Sequence, residues 1–208
     1  MSRSVQLAAK HALDRVAAGV LLCCLAPFML AIAAAILIES GRPALFVQTR
    51  VGRHGLPFTV YKFRTMVQGA AHKGLGTTVA AADDRLTRVG SWVRAWSLDE
   101  LPQLLNVLKG EMSLVGPRPT LDYQVARYTP FQRRRLEMRP GITGWAQVNG
   151  RNALPWERRI ELDVWYVDHF SLWLDARILF RTVGVFWRRE GLYGPGGVND
   201  DFVPKRHG

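Results

Sequence analysis

The stretch that decides the fold runs from Val16 to Ile38 and reads VAAGVLLCCLAPFMLAIAAAILI. Its 23 residues carry no charge, and as a helix they are long enough to cross the apolar core of a bilayer. Membrane attachment is the first inference. Pro27, near the middle, removes one helical hydrogen bond and presses on the carbonyl of Cys23, which favours a kink or a turn back. Arg3, Lys10 and Arg15 precede the segment and Arg42, Arg50 and Arg53 follow it. Such balanced positive flanks suit two ends on one cytoplasmic face. A kinked single crossing is the alternative, because membrane helices tolerate proline. A cleaved signal peptide fits poorly, since the run is too long for an h-region and begins only at residue 16.

The 208 residues give room for one well-buried domain with appendages. Lys and Arg number 28 against 17 Asp and Glu, a net charge of +11. That balance calls for an anionic partner: nucleic acid, an acidic membrane surface or a phosphorylated substrate. The only cysteines, Cys23 and Cys24, are adjacent and sit in the apolar run. They exclude an intrachain disulfide framework and leave too few thiols for a zinc site. They read as small apolar fillers.

After Ile38 the pattern becomes that of a soluble domain. Residues 44–66, ALFVQTRVGRHGLPFTVYKFRTM, hold two β-rich runs around the turn-prone GRHG, as in a hairpin. Alternation puts Lys62 and Arg64 on one strand face and Tyr61 and Phe63 on the other; the basic face reads as a solvated edge. Residues 72–84 are small and aperiodic, a loop. Leu86, Val89, Val93 and Trp96 then recur at helical spacing as a core stripe. Within residues 171–190, Leu172, Leu179, Val183 and Phe186 fall near one helix face, interleaved with Arg177, Arg181, Arg188 and Arg189. This basic amphipathic helix fits an anionic membrane surface, or equally a helix docked with its basic face in water. Residues 191–208 are Gly- and Pro-rich, a flexible tail.

In this basic chain an acidic pair stands out in SLDELPQLLNVLKGEMSLVGPRP, residues 97–119. With Asp99 near the N-cap, Pro102 falls in the first helical turn, where it is tolerated. Asp99 and Glu100 then sit at the positive end of the helix dipole. Capping alone would explain an isolated pair. Here Arg118 follows between Pro117 and Pro119, with its donor fork free to grip phosphate, and RPGITGWAQVNGR (139–151) adds Arg139 and Arg151. An acidic pair amid presented cations is what phosphoryl transfer needs: a carboxylate can hold Mg²⁺ or attack phosphorus while cations neutralise the phosphate oxygens.

KFRTM (62–66), residues 97–119, RPGITGWAQVNGR (139–151) and ELDVWYVDHFSLWLDARIL (161–179) resemble the bacterial sugar transferases, the monotopic phosphoglycosyl transferases, in their small form. The resemblance runs from about Lys10 to Glu190. It implies an α+β, mainly helical fold: an N-terminal re-entrant membrane helix hairpin over 10–40, interfacial amphipathic helices and a small β-hairpin or sheet, in one catalytic domain over 1–208. It also implies transfer of a sugar 1-phosphate from a UDP-sugar to polyprenyl (undecaprenyl) phosphate, with release of UMP, at the cytoplasmic face of the bacterial inner membrane.

By the same resemblance Asp99 is the nucleophile that forms a phosphosugar ester and the contact for Mg²⁺. Glu100 is its dyad partner, activating the acceptor phosphate or organising the metal site. Lys62, Arg118 and Arg151 bind phosphate. The partners are the UDP-sugar, polyprenyl phosphate and inner-membrane lipid, with no nucleic acid. One departure concerns the membrane segment, where Ala26-Pro27 stands for the Ser-Pro pair associated with the family's helix break. The rival from another class is a non-enzymatic, membrane-anchored basic protein that binds anionic lipid or nucleic acid.

Overall fold

In the computed structural model, which describes residues 2–70, 79–80, 83–188 and 191–199, the apolar run lies within a single helix. This is α1, Arg3–Ser40, 38 residues with Pro27 inside. At 1.5 Å per residue it would measure about 57 Å if straight. Its most apolar window has mean hydropathy 2.8, so it is long and apolar enough to cross a bilayer. The turn back expected at Pro27 does not interrupt the helix. Pro27 lacks only the N–H that would bond to the Cys23 carbonyl, and the helix continues on either side of it.

Both ends of α1 hold to the rest of the protein. Near the start, an Arg3 Nη donates to the carbonyl of Val167 at 2.7 Å and Lys10 pairs with Asp175 at 2.5 Å. At the far end, the Glu39 carboxylate accepts from the backbone N–H groups of Arg88 and Val89 at 2.7 and 3.0 Å. Between these points Ala18, Ile32 and Ile36 are buried, while Val16, Val20, Leu30 and Ile38 face outward. Cys23 and Cys24 are free and exposed.

The expected hairpin is present. Strand β1 (Leu45–Val51) pairs antiparallel with β2 (Pro57–Phe63), from Leu45↔Phe63 to Val51↔Pro57. The chain turns through Arg53–Gly55, with His54 at φ 58. Val60 packs with Ala18, Leu104 and Val107, and Phe63 packs with Ile32, Ile36 and Val93. The basic face of this strand is not the solvated edge expected. Arg64 is 7% exposed and its guanidinium donates to the carbonyls of Ser40 and Gly41, closing the C-terminus of α1. Lys62 turns inward to the site described below.

Helix α2 (Arg88–Ala95) is capped by the Thr87 side chain and by Glu39, and it buries Val93. Leu86, read from periodicity as part of this helix, precedes it and bridges to Met66. Of the loop expected over 72–84, residues 72–78 and 81–82 lie outside the described residues. A 3₁₀ turn, Leu98–Gln103, leads into α3 (Leu104–Lys109). Strand β3 (Ser113–Val115) follows, then the short helices α4 (Asp122–Val125) and α5 (Pro130–Arg133). Strand β4 (Gly141–Thr143) lies parallel to β3, giving the fold a second two-stranded pair beside the hairpin.

Helices α6 (Trp145–Val148), α7 (Trp156–His169) and α8 (Leu172–Arg188) complete a mainly helical fold. Tyr166, Val167, Leu174 and Ile178 join Val115 and Met138 in one core cluster. The core side of α8 is Leu174 and Ile178, while Leu179, Val183 and Phe186 of the stripe read from the sequence are 41, 67 and 37% exposed, so of the two alternatives that stripe is not the docked face. On the outside Trp173, Phe180 and Trp187 recur every seven residues, 70 to 82% exposed. A helix apolar on two sides cannot be oriented by hydropathy alone. Of the tail, residues 191–199 dock: Asn152 donates to the carbonyls of Gly191 and Leu192, and the Asn199 N–H donates to that of Val79.

Candidate active site

The hairpin, the 3₁₀ turn and the β3–β4 pair bring the acidic dyad and its cations together. Lys62 Nζ donates to Glu100 Oε1 at 2.7 Å. The Arg118 guanidinium donates to the same oxygen at 2.7 Å and reaches Oε2 at 3.4 Å. Burial pushes Glu100 upward, but Arg118 and Lys62 outweigh it and hold its carboxyl well below the ordinary range.

Asp99, also buried at 8% exposure, is in the opposite condition. No hydrogen bond or ion pair reaches its carboxylate from the described residues. Burial raises its pKa above 3.8, and the nearby Glu100 charge adds to this, against the pull of Lys62. Two adjacent carboxylates are thus pushed apart: Glu100 is fixed and ionised, and Asp99 is unpartnered and more basic than usual.

The start of this element differs from the expected cap. Ser97 stands at the N-cap position in left-handed backbone, φ 50, and its side chain caps nothing. Pro102 lies in the 3₁₀ turn, and Asp99 and Glu100 are its second and third residues. The following α3 has only six residues. Cationic side chains, rather than the dipole of a long helix, hold the charge of Glu100.

Arg118 is set in place from behind. The Arg118 carbonyl accepts from Arg135 at 2.9 Å. Arg135, 2% exposed, also pairs with Asp163 and donates to the Tyr128 hydroxyl. The loop before Arg118 packs backbone to backbone on residues 139–144. A Cβ on Gly116 would lie 2.4 Å from the Arg139 carbonyl oxygen, and one on Gly141 would lie 2.1 Å from the Gly116 nitrogen. These glycines serve the close approach of two backbones.

Arg151 is the fifth residue of the cluster. Its backbone is left-handed, φ 52, and its guanidinium donates to Ser97 Oγ at 3.2 Å. All of Lys62, Asp99, Glu100, Arg118 and Arg151 therefore meet, while Arg139 lies apart from them, near Arg15 and Arg53.

Two cavities adjoin the cluster. One, of about 40 Å³, is lined by Arg118, Arg135, Gln147, Arg151, Trp156 and Arg159. The other, of about 280 Å³, is largely apolar and shares Arg118, Gln147 and Arg151 with the first. Gln147 was not singled out by sequence reasoning. It is 8% exposed, and neither polar atom of its amide has a hydrogen-bond partner among the described residues. Such a group costs about 1–3 kcal/mol, which marks a place for a ligand. Its one sequence signal is a polar residue in the otherwise apolar α6, WAQV.

No group of three or more His, Cys, Asp or Glu side chains among the described residues is arranged to hold a metal. The donor set that would fit is the single free carboxylate of Asp99. That suits Mg²⁺, which is commonly held by one or two carboxylates together with substrate phosphates.

Comparison with known proteins agrees with the motifs. The chain belongs to the bacterial sugar transferase family, whose model matches residues 5–189. It is 51% identical over 183 residues to the uncharacterized sugar transferase EpsL of Bacillus subtilis, covering 88% of this chain and 89% of that one. It is 49% identical over 197 residues to the UDP-glucose:undecaprenyl-phosphate glucose-1-phosphate transferase of Caulobacter vibrioides, covering 88% of this chain and 72% of the relative. Against the undecaprenyl-phosphate galactose phosphotransferase of Salmonella typhimurium the identity is 45% over 169 residues, and the match spans only 36% of that longer protein.

Proposed function

We propose that this protein transfers a sugar 1-phosphate from a UDP-sugar to polyprenyl phosphate with release of UMP, as the first membrane step of bacterial glycan assembly. The observation that carries the reading is the divided dyad, with Glu100 held by Lys62 and Arg118 while Asp99 has no partner among the described residues. Family membership and the names of the Caulobacter and Salmonella relatives support the same reaction.

In this mechanism an Asp99 carboxylate oxygen attacks the sugar-bearing phosphorus of the donor. The bond from that phosphorus to the bridging oxygen breaks, and UMP departs with the electron pair. Lys62, Arg118 and Arg151 neutralise the phosphate oxygens as charge builds. An oxygen of polyprenyl phosphate then attacks the same phosphorus, frees Asp99 and yields the polyprenyl-diphosphate sugar. Mg²⁺, held by Asp99 and the donor's phosphates, would supply further charge neutralisation. Glu100, fixed in place, holds Lys62 and Arg118 in position.

The membrane placement belongs to the same proposal. A helix that crossed a bilayer would carry its two ends to opposite sides, yet Arg3, Lys10 and Glu39 all grip the same body. This supports a one-sided insertion, with both ends of α1 at the cytoplasmic face of the inner membrane and its outward apolar side, with Val16, Val20, Leu30 and Ile38, against lipid. The outer aromatics of α8 suit an interfacial position, and residues 1–208 act as one catalytic unit.

The test is release of UMP when the purified protein meets Mg²⁺, polyprenyl phosphate and a panel of UDP-sugars, with Asp99→Asn in parallel. Acceptor-dependent release with one sugar, absent in the variant, is expected. A burst of UMP without acceptor would mark the covalent route. Undiminished release by Asp99→Asn would remove the proposed nucleophile.

A further inference from the structure

The 280 Å³ cavity runs between α1 and α8 and changes character along its length. At one end are Glu100, Arg118, Arg151 and the Gln147 amide. The rest is lined by apolar side chains, chiefly Leu21 and Leu25 of α1, Leu104, Ile142, and Leu179 and Phe186 of α8. The hydroxyls of Thr143 and Thr182 are spent on each other and on the Ile178 carbonyl, so they offer nothing to a ligand. At the far rim Leu21, Leu179 and Phe186 are 37 to 41% exposed and join the outer apolar surfaces of α1 and α8. Neither Lys62 nor Asp99 borders this space.

We infer that this cavity is an acceptor channel: it holds the isoprene units next to the phosphate of polyprenyl phosphate, which enters sideways from the bilayer between α1 and α8. The inference rests on the proposed reaction and adds where, and from which side, the lipid binds.

Three features select this occupant. The cavity is close to the lower limit of ligand pockets, about 300 Å³, so it takes the head of a chain whose remainder stays in lipid. Its cationic end passes directly into leucines, which matches a phosphate joined straight to a hydrocarbon. A glycerophospholipid would instead place its ester carbonyls among leucine, isoleucine and valine side chains, where beyond the cationic end the Ser97 hydroxyl is the one donor in the lining whose hydrogen is not already engaged among the described residues. The Gln147 amide, buried and without a hydrogen-bond partner among the described residues, lines the cavity together with Arg118 and Arg151, so a phosphate held by the two cations has a further donor available. Glu100 lines the channel while Asp99 lies outside it, so acceptor and donor approach the dyad from different sides, and the acceptor phosphate meets Arg118 and Arg151 before Lys62.

Photolabelling reads the site without requiring turnover. A prenyl phosphate carrying a diazirine on its first isoprene unit is bound to the full chain in nanodiscs, irradiated and mapped by mass spectrometry. Labels on residues 21–25 and 179–186, suppressed by polyprenyl phosphate and not by phosphatidylglycerol, are expected. Labels confined to the outer face of α1, or suppression by phosphatidylglycerol, would overturn the channel.

Leu179→Trp, at a half-exposed position that accepts a larger ring, should raise KM for polyprenyl phosphate about tenfold while leaving KM for the UDP-sugar and the melting temperature unchanged. An unchanged acceptor KM in a folded variant would also overturn it. The reaction and the channel fail separately. Competed labelling at these residues without any UMP release would sink the reaction and keep the binding site, and robust transfer with labelling elsewhere would do the reverse.

Discussion

Ser97 and Arg151, 54 positions apart, both hold left-handed backbone, φ 50 and 52, and are joined side chain to side chain at 3.2 Å. Left-handed backbone costs an ordinary residue about 1–2 kcal/mol, and here two such residues meet at the edge of the cluster. The strain therefore aims a guanidinium, which is where proteins commonly keep it.

Replacing Ser97 separates strain from function. Ser97→Gly removes the penalty and the hydroxyl together, and Ser97→Ala removes only the hydroxyl. Both variants should raise KM for the phosphate-bearing substrates to a similar degree, because Arg151 loses its anchor. Only Ser97→Gly should gain stability, read as a higher midpoint in thermal melts, because relief of about 1–2 kcal/mol of left-handed strain outweighs the roughly 0.4–1 kcal/mol that a glycine costs through its freer unfolded chain. Equal midpoints for the two variants would mean that the backbone at residue 97 is unstrained.

Asp99→Asn should abolish transfer and yet melt higher than the parent at neutral pH. Burial raises the Asp99 pKa above 3.8, so the folded protein binds this proton more tightly than the unfolded chain. The linked stability is fully present below 3.8 and is lost as pH rises through the folded value. At neutral pH the desolvated carboxylate is a cost that asparagine does not carry. The advantage of the variant should shrink as the pH is lowered toward 4. Activity of the parent should fall over the same acid range, as Asp99 takes up its proton. A variant that melts lower at neutral pH would contradict this account.

Glu100→Gln should move stability the other way. The ionised Glu100 carboxylate accepts from Lys62 and Arg118, and a glutamine oxygen keeps the contact without the charge. Lys62 and Arg118 side chains are 23 and 43% exposed, so solvent softens the loss. A fall of about 1–3 kcal/mol is expected. Because the Glu100 pKa is held below 4.5, its contribution is present above that value and is lost as pH falls through the folded pKa. Parent and Glu100→Gln should therefore converge in strongly acidic buffer, as chemical unfolding at several pH values would reveal.

The features legible in the sequence are those with a local signal. The uncharged run from Val16 to Ile38 marked a long apolar helix, which α1 contains, and GRHG between two β-rich runs marked the turn that joins β1 to β2. Asp99 and Glu100 stood out because acids are scarce among so many cations. Other features had no local signal. Strands β3 and β4 have three residues each, too short for a period, and they meet through Gly116 and Gly141. The facing of α8 stayed open in the sequence because Trp173 and Phe180 make its outer side as apolar as its core side. The Arg135–Asp163 pair joins residues 28 apart, and the unpartnered Gln147 amide becomes visible only when its surroundings are in place.

The pairing of Lys10 with Asp175 has the same long-range character and carries the last prediction. Lys10 Nζ lies 2.5 Å from Asp175 and 3.4 Å from Asp14, with its side chain 2% exposed. The Tyr166 hydroxyl donates to the second Asp175 oxygen at 2.6 Å, and Ser113 at the start of β3 donates to Asp14. One lysine thus ties α1 to α7, α8 and the strand that leads to Arg118. Lys10→Met would leave two buried carboxylates without their cation, at a cost of about 3–5 kcal/mol. The double variant Lys10→Met with Asp175→Asn removes one of those charges and should recover part of the loss. Chemical unfolding in detergent micelles would measure both. If the double variant is no more stable than Lys10→Met alone, the lysine acts through packing of its methylene chain, and the ion pair does not hold α1 to the catalytic body.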